Sequence, residues 1–376
     1  MQMLSLDSPL GATGAGATVV PYEAIPLCTD LVRKYVSVLA MQVHAPGGPL
    51  VGAQLRPEPP PSGSVRVHVI ASGMCGADVG TARADGGGPL PVTPGHEVAG
   101  TIAEVGAGVT GWNTGDRVAV GWFGGSCGHC DACRRGDVVH CPDRKIPGIS
   151  YPGGWAESIV VPSDTLARVP DDLDLLDAAP MGCAGVTTFN AVRRAGVPPG
   201  GRIGVLGLGG LGHLAVQFAA AMGYEVTVIT RGPERADIAR ELGANHYLDS
   251  TAEPVVERLR SLGGQDAVIS TAPAAEPVAG LLAGLRPRGR LVLLGVADGA
   301  FELPFGQLVM HAQQVSGQVT GSPLETEAAM RFAAMNGVRP VIERVPLPQA
   351  AAALDRLRSG EARFRIVLDT TAEPTR

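Results

Sequence analysis

The chain has 376 residues, 45% of them hydrophobic and 18% charged, so it should fold as a globule, and its length exceeds what one hydrophobic core usually supports. A formal net charge of -6 gives no electrostatic footprint for nucleic acid. No apolar run approaches the roughly 18 residues of a membrane-spanning helix, so the expected partner is a small molecule, with no nucleic acid and no membrane.

Residues 1–40 are rich in Gly, Ala, Thr and Pro and lack the basic and apolar blocks of a secretory signal. They read as a disordered extension carrying one unremarkable thiol, Cys28. A first strand and turn follow over 41–50. From about Val65 to Val161, short β-branched runs such as 65–70 and Arg117–Val120 alternate with Gly and Pro turns, which predicts a β-rich domain. Beyond Gly182, strands predicted at Arg202–Leu206, Glu225–Thr230, 266–270 and 290–296 alternate with helical stretches, the pattern of a parallel α/β sheet. A helix over 325–336 and a last strand over 364–368 would return the chain to the first domain. The expected division is therefore 41–181 with 322–376 around a dinucleotide-binding unit at 182–321.

Six of the seven cysteines fall into two sets that suit a metal. Cys127, Cys130, Cys133 and Cys141 lie close enough in sequence for a thiolate site to close on itself, as in structural zinc lobes. A ferredoxin-type cluster would have three residues before its last cysteine, whereas seven stand between Cys133 and Cys141. Cys75 and Cys183 are far apart, with His96 between them, and only a folded chain would bring them together. Cysteines at metal spacing without a secretory signal point to a reducing cytoplasm.

Directly after the strand at 202–206 stands Gly207-Leu208-Gly209-Gly210-Leu211-Gly212, followed by a helical stretch over 213–222. Between strand and helix this is a dinucleotide fingerprint: a tight turn at Gly207, close approach of the pyrophosphate at Gly209, tight helix packing at Gly212. The next strand ends at Thr230 and Arg231 without the acid that would hold the ribose of NAD. Thr230, Arg231 and Arg235 suit a 2′-phosphate instead, so NADP is expected in preference to NAD.

Gly73 to Asp78, Pro94 to Gly100 with the His96-Glu97 pair, the cysteine lobe, Cys183 to Phe189 and the glycine loop resemble, in order and spacing, the zinc-dependent alcohol dehydrogenases of the medium-chain dehydrogenase/reductase family. The resemblance covers roughly 41–370. It implies a GroES-like β-rich catalytic domain joined to a doubly wound Rossmann sheet, two zinc ions per chain, and a dimer or tetramer whose first contact lies near 290–319. It further implies that Cys75, His96 and Cys183 ligate the catalytic zinc, that Glu97 is the acid beside it, and that Asp78 accepts the free ring N–H of His96. Arg365 would contact the pyrophosphate, and Phe123 with Trp122 would line the substrate pocket. The implied reaction interconverts an alcohol and its aldehyde or ketone by hydride transfer, with zinc as Lewis acid. Ala77 and Gly80 stand where many members carry a Ser or Thr and a His that relay the alcohol proton. That departure leaves reduction of an iminium or conjugated C=C bond as the alternative. A non-catalytic nucleotide-binding protein is the less expected reading, because it would have no need of Cys75, His96, Cys183, Glu97 and Asp78 together.

Overall fold

The computed structural model describes residues 37–84, 89–296 and 300–373, and Cys28 lies outside them. Three β-sheets organise the described chain. The first is a small antiparallel pair, Val38–Val43 with Leu50–Leu55, in which Val38 faces Leu55 and Ala40 faces Ala53. This corrects the expected limit of the extension. Residues 38–40 are strand, because Ala40 is wholly buried and its run of apolar residues has a partner to pair with.

The second sheet has seven strands. At its centre Ser64–Gly73 pairs antiparallel with Val98–Val105, Ser158–Pro162 and the C-terminal strand Arg365–Asp369. Ile342–Pro346 lies parallel to Arg365–Asp369 at one edge, so the end of the chain does return to the β-rich part. The third sheet is parallel, six-stranded, and ordered His246–Asp249, Glu225–Thr230, Arg202–Leu206, Gln265–Ser270, Leu285–Leu293, Gln314–Gly317. In chain order this is 3-2-1-4-5-6, the doubly wound arrangement whose strand order reverses between Arg202–Leu206 and Gln265–Ser270. Ligands of such sheets bind at the carboxyl ends of those two strands, and residues 207–212 follow immediately there. The strand expected at 290–296 runs instead from Leu285 to Leu293, and Val296 beyond it is 94% exposed.

One apolar core joins the two large sheets. It runs from Ala71, Ala99 and Ala119 through Met181, Val186 and Phe189 to Ile203, Val205 and Phe218, with Met330 of helix Pro323–Asn336 packed alongside. Phe189, Phe218 and Phe332 contact one another with ring centroids 5.5 to 6.0 Å apart. That aromatic knot fixes helix Val186–Arg194 against helix Gly212–Ala221, and so fixes Cys183 relative to the glycine loop. The loop and its helix can approach only because residue 212 is glycine: a Cβ there would stand 2.0 Å from the carbonyl oxygen of Gly207.

Candidate active site

Strand Ser64–Gly73 delivers Cys75 to the first turn of helix Gly76–Thr81, where it is the N-cap residue. Asp78, three residues on and wholly buried, closes that turn by accepting the Cys75 backbone N–H at 2.8 Å. Its other oxygen faces Nδ1 of His96 at 3.1 Å and accepts the N–H of Gly95 at 3.3 Å. One carboxylate therefore sets both the cysteine backbone and the histidine ring. With the ring proton on Nδ1, the lone pair is on Nε2, which is buried and has no protein partner.

Cys183 arrives from a different kind of local structure. Helix Leu175–Pro180 runs into a π-helical turn, Met181–Gly185, before helix Val186–Arg194 begins. Pro180 has no N–H to give, and the widened turn frees the Gly182 carbonyl, which accepts the N–H of Trp122 at 3.3 Å. The backbones cross closely here; a Cβ on Gly121 would sit 2.1 Å from that carbonyl oxygen. The result is that ligand atoms of Cys75, His96, Glu97 and Cys183 all lie within 4.8 Å of one another. The two thiols share charge unequally: the Cys183 thiol donates toward Cys75, drawing Cys75 well below the ordinary thiol range and pushing Cys183 well above it. Two soft sulfurs and an orphaned imidazole nitrogen converging in a buried site fit a zinc ion.

Glu97 is wholly buried, and burial pushes its carboxyl up to about 7 against the pull of Arg365, whose guanidinium it engages through both oxygens. Arg365 also reaches the glycine loop, its Nη1 lying 2.9 Å from the position a Cβ of Gly210 would take, while its Nε has no partner. Trp122 stands edge-on to the His96 ring at 4.8 Å, and Phe123 beside it is 5% exposed.

The four-cysteine lobe is self-contained. Sγ atoms of Cys127 and Cys133 are 4.0 Å apart, Cys130 and Cys141 3.8 Å, and Cys127 and Cys141 3.6 Å. A tetrahedron with metal–sulfur bonds of about 2.3 Å has edges of about 3.8 Å, so the cage suits one ion. Backbone N–H groups of Cys127, Cys130 and Cys133 point at neighbouring sulfurs at 3.4 to 3.5 Å and offset thiolate charge.

The glycine loop is held by its carbonyls. Thr271 Oγ1 donates to the carbonyls of Leu206 and Gly207 at 2.9 and 3.3 Å, Arg235 to that of Leu208 at 2.7 Å, and His213 Nδ1 to that of Gly209 at 2.9 Å. Gly209 itself has open space where a Cβ would stand, leaving room for a dinucleotide backbone. Thr230 closes its strand and Arg231 is exposed just past it. Burial lowers the Arg235 pKa and the positive charges of Arg363 and Arg231 lower it further, against Tyr247 and Glu234, which raise it. Sequence reading missed Arg363, His213 and Thr271. Only Arg363 left a signal, a second arginine two positions before Arg365. Asp249, on the neighbouring strand opposite Thr230, accepts the Gly232 N–H at 2.8 Å and is a further acid in this corner.

Residues 61–171 match the alcohol dehydrogenase GroES-like domain, and residues 210–335 match the zinc-binding dehydrogenase domain. The alcohol dehydrogenase patD of Penicillium expansum is 38% identical over 82% of this chain and 91% of its own length. A cinnamyl alcohol dehydrogenase of Sorghum bicolor superposes with a TM-score of 0.82 at 33% identity, covering 91% of this chain and all of its own. The CAD of Helicobacter pylori, solved with NADP(H), gives a TM-score of 0.78 at 27% identity over 90% of this chain and 99% of its own. Fold and similarity define a zinc-binding oxidoreductase. The chain belongs to the zinc-type alcohol dehydrogenases of the medium-chain dehydrogenase/reductase family.

Asp78→Asn replaces the carboxylate that orients His96 and should lower zinc affinity at the deep cluster by about 10–100-fold while leaving the four-cysteine lobe loaded. Zinc counted during chelator competition tests this; equal retention at both clusters would exclude the role. A second prediction concerns acid. Burial holds His213 down to about 4 from its ordinary 6.5, so between those values the unfolded chain binds a proton that the folded one refuses. Its contribution is complete above pH 6.5 and falls by about 3 kcal/mol as pH drops toward 4. Urea unfolding should show wild type losing that much stability relative to His213→Leu across this window, and parallel pH curves would refute it.

Proposed function

We propose that the chain is an NADP-preferring dehydrogenase that interconverts an alcohol and its aldehyde or ketone, with two zinc ions per chain. The observation that carries this is the meeting of Cys75, His96 and Cys183 around an unpartnered imidazole nitrogen, beside a glycine loop at the sheet's switch point. The catalytic ion would be held by those three residues with Glu97 as neighbour, and a structural ion by Cys127, Cys130, Cys133 and Cys141. When bound, the catalytic ion and the coenzyme supply a Lewis acid for the substrate oxygen and a hydride carrier for its carbon.

The chain's own residues do the rest. Asp78 keeps the proton of His96 on Nδ1, so that Nε2 stays an acceptor. Trp122 walls the site against the His96 edge and, with Phe123, limits what reaches it. Arg365 neutralises Glu97 and brings its Nη1 to the glycine loop at Gly210. Gly207, Gly209, Gly210, Leu211 and Gly212 form the pyrophosphate cradle at the N-terminus of helix Gly212–Ala221. Neither Ala77 nor Gly80 carries a proton, and Thr81 Oγ1 faces the Ala77 carbonyl at 3.3 Å, so the alcohol proton leaves through water.

The coenzyme preference rests on the charges of Arg231, Arg235 and Arg363 near the end of strand Glu225–Thr230, which closes on Thr230 rather than an acid, although Glu234 and Asp249 lie in the same corner. Arg231→Ala and Arg363→Ala should each raise the KM for NADPH about tenfold with little change for NADH, the loss of one charge-assisted contact. Kinetics with both coenzymes and a panel of simple aldehydes, with zinc counted in the same samples, test the whole reading. Turnover better with NADH, or no turnover until Ala77→Ser is made, would overturn the coenzyme and the substrate assignments respectively.

Thiolate sites of this kind fit a reducing compartment such as the cytoplasm, and among the described residues no helix is long and apolar enough to cross a membrane. The edge strand Gln314–Gly317 follows helix Phe305–His311, whose Phe305, Val309 and Met310 are all more than half exposed. An open edge beside such an apolar patch is best covered by a second copy of the chain. Phe305→Glu with Met310→Glu should halve the mass measured by sedimentation, and an unchanged mass would place the contact elsewhere.

A further inference from the structure

We propose that His213 is a positioning residue that latches the glycine loop to the C-terminal strands of the seven-stranded sheet, so that coenzyme affinity depends on this one neutral imidazole. The proposal rests on reading 207–212 as the coenzyme loop.

The ring is wholly buried and both nitrogens are used. The backbone N–H of Val341 points at Nε2 at 3.2 Å, so Nε2 must be the acceptor and Nδ1 carries the proton that it donates to the Gly209 carbonyl at 2.9 Å. Phe364 stacks on the ring at 5.1 Å with 19° between planes. Gln217, one turn further along the same helix face, grips the same segment: its Nε2 donates to the Arg339 carbonyl at 2.8 Å and its Oε1 accepts the Arg339 N–H at 3.1 Å. Val341 in turn accepts the N–H groups of Phe364 and Arg365 at 3.1 and 3.0 Å, and Arg365 holds Glu97 next to His96. A continuous series of hydrogen bonds thus leads from the loop that would hold the pyrophosphate to the metal cluster.

Protonation of Nε2 would turn the acceptor for Val341 into a donor and break the latch at its centre. The segments packed against the ring bear Arg339, Glu343, Arg344, Arg363, Arg365 and Asp369; burial first, and the field of Arg365 after it, oppose that proton. The latch is closed at neutral pH and opens in acid.

Three variants separate latch from packing. His213→Leu removes both bonds, His213→Asn keeps a donor near the Nδ1 position, and His213→Gln keeps an acceptor near Nε2. Each is prepared with both metals and titrated with NADPH and NADH by protein fluorescence. The expected result for His213→Leu is about a tenfold weaker coenzyme Kd, with zinc content unchanged and kcat at saturating coenzyme within about threefold. His213→Asn and His213→Gln should each recover part of the loss. Wild-type coenzyme affinity should weaken below about pH 5, and that dependence should vanish in all three variants. Unaltered coenzyme Kd in the variants, or a fall in Tm without any change in Kd, would reduce His213 to core packing. If His213→Leu does not fold, wild-type affinity in both His213→Asn and His213→Gln has the same meaning. Failure of wild type to bind either coenzyme would instead sink the reading of the loop itself.

Discussion

A guanidinium kept out of water organises the cleft. Arg365 is 5% exposed and Glu97 not at all, and their ion pair joins the last strand of the chain to the residue beside His96. Two charges in such a place are tolerated only because each satisfies the other, and removal of one partner from a buried pair typically costs about 3–5 kcal/mol. The pairing constrains the fold in turn. Strand Arg365–Asp369 must lie against Ser64–Gly73, which brings the C-terminal segment over the glycine loop and gives Val341, Phe364 and Arg365 their contacts there.

Against that fixed frame, the proposed metal ligands come from three unlike local structures: a helix N-cap at Cys75, a loop at His96 and a π-helical turn at Cys183. None of these is rigid by itself. Asp78 ties the first two together, and the crossing of Gly121 and Gly182 ties the third to Trp122, which packs against His96. The soft ligand set is therefore held by backbone hydrogen bonds and a buried carboxylate, so its geometry exists before any ion arrives, which is what tight and selective binding requires.

What the sequence made legible was what is local. The spacing of Cys127, Cys130, Cys133 and Cys141 carries the lobe because all four lie within one short segment, and the glycine loop can be read because turn, anion cradle and helix start are consecutive. Cys75, His96 and Cys183 were legible only through the resemblance, since their approach depends on sheet register and on the π-turn, neither of which has a residue signature beyond Pro180. The strand at 38–40 was hidden by the low-complexity run before it, and the Arg365 pairing by the 268 residues that separate it from Glu97. His213 read as one more position in an apolar helix. Its function depends on Val341 and Phe364, more than 120 residues away in sequence.

The glycine loop shows why those distant residues matter. Glycines lose more backbone freedom on ordering than any other residue, so a loop with four of them in six positions is a poor scaffold unless it is held from outside. Here the carbonyls of Leu206, Gly207, Leu208 and Gly209 are each taken by a side chain from another element: Thr271, Arg235 or His213. Peptide planarity does the rest, since a carbonyl turned inward forces the following N–H outward. On the proposed reading of the loop, the donors that would face a pyrophosphate are aimed by side chains outside it. A ligand that meets amides already in place gives up less entropy on binding, and the affinity of the proposed coenzyme site would then depend on His213 and Arg235 as well as on the glycines themselves.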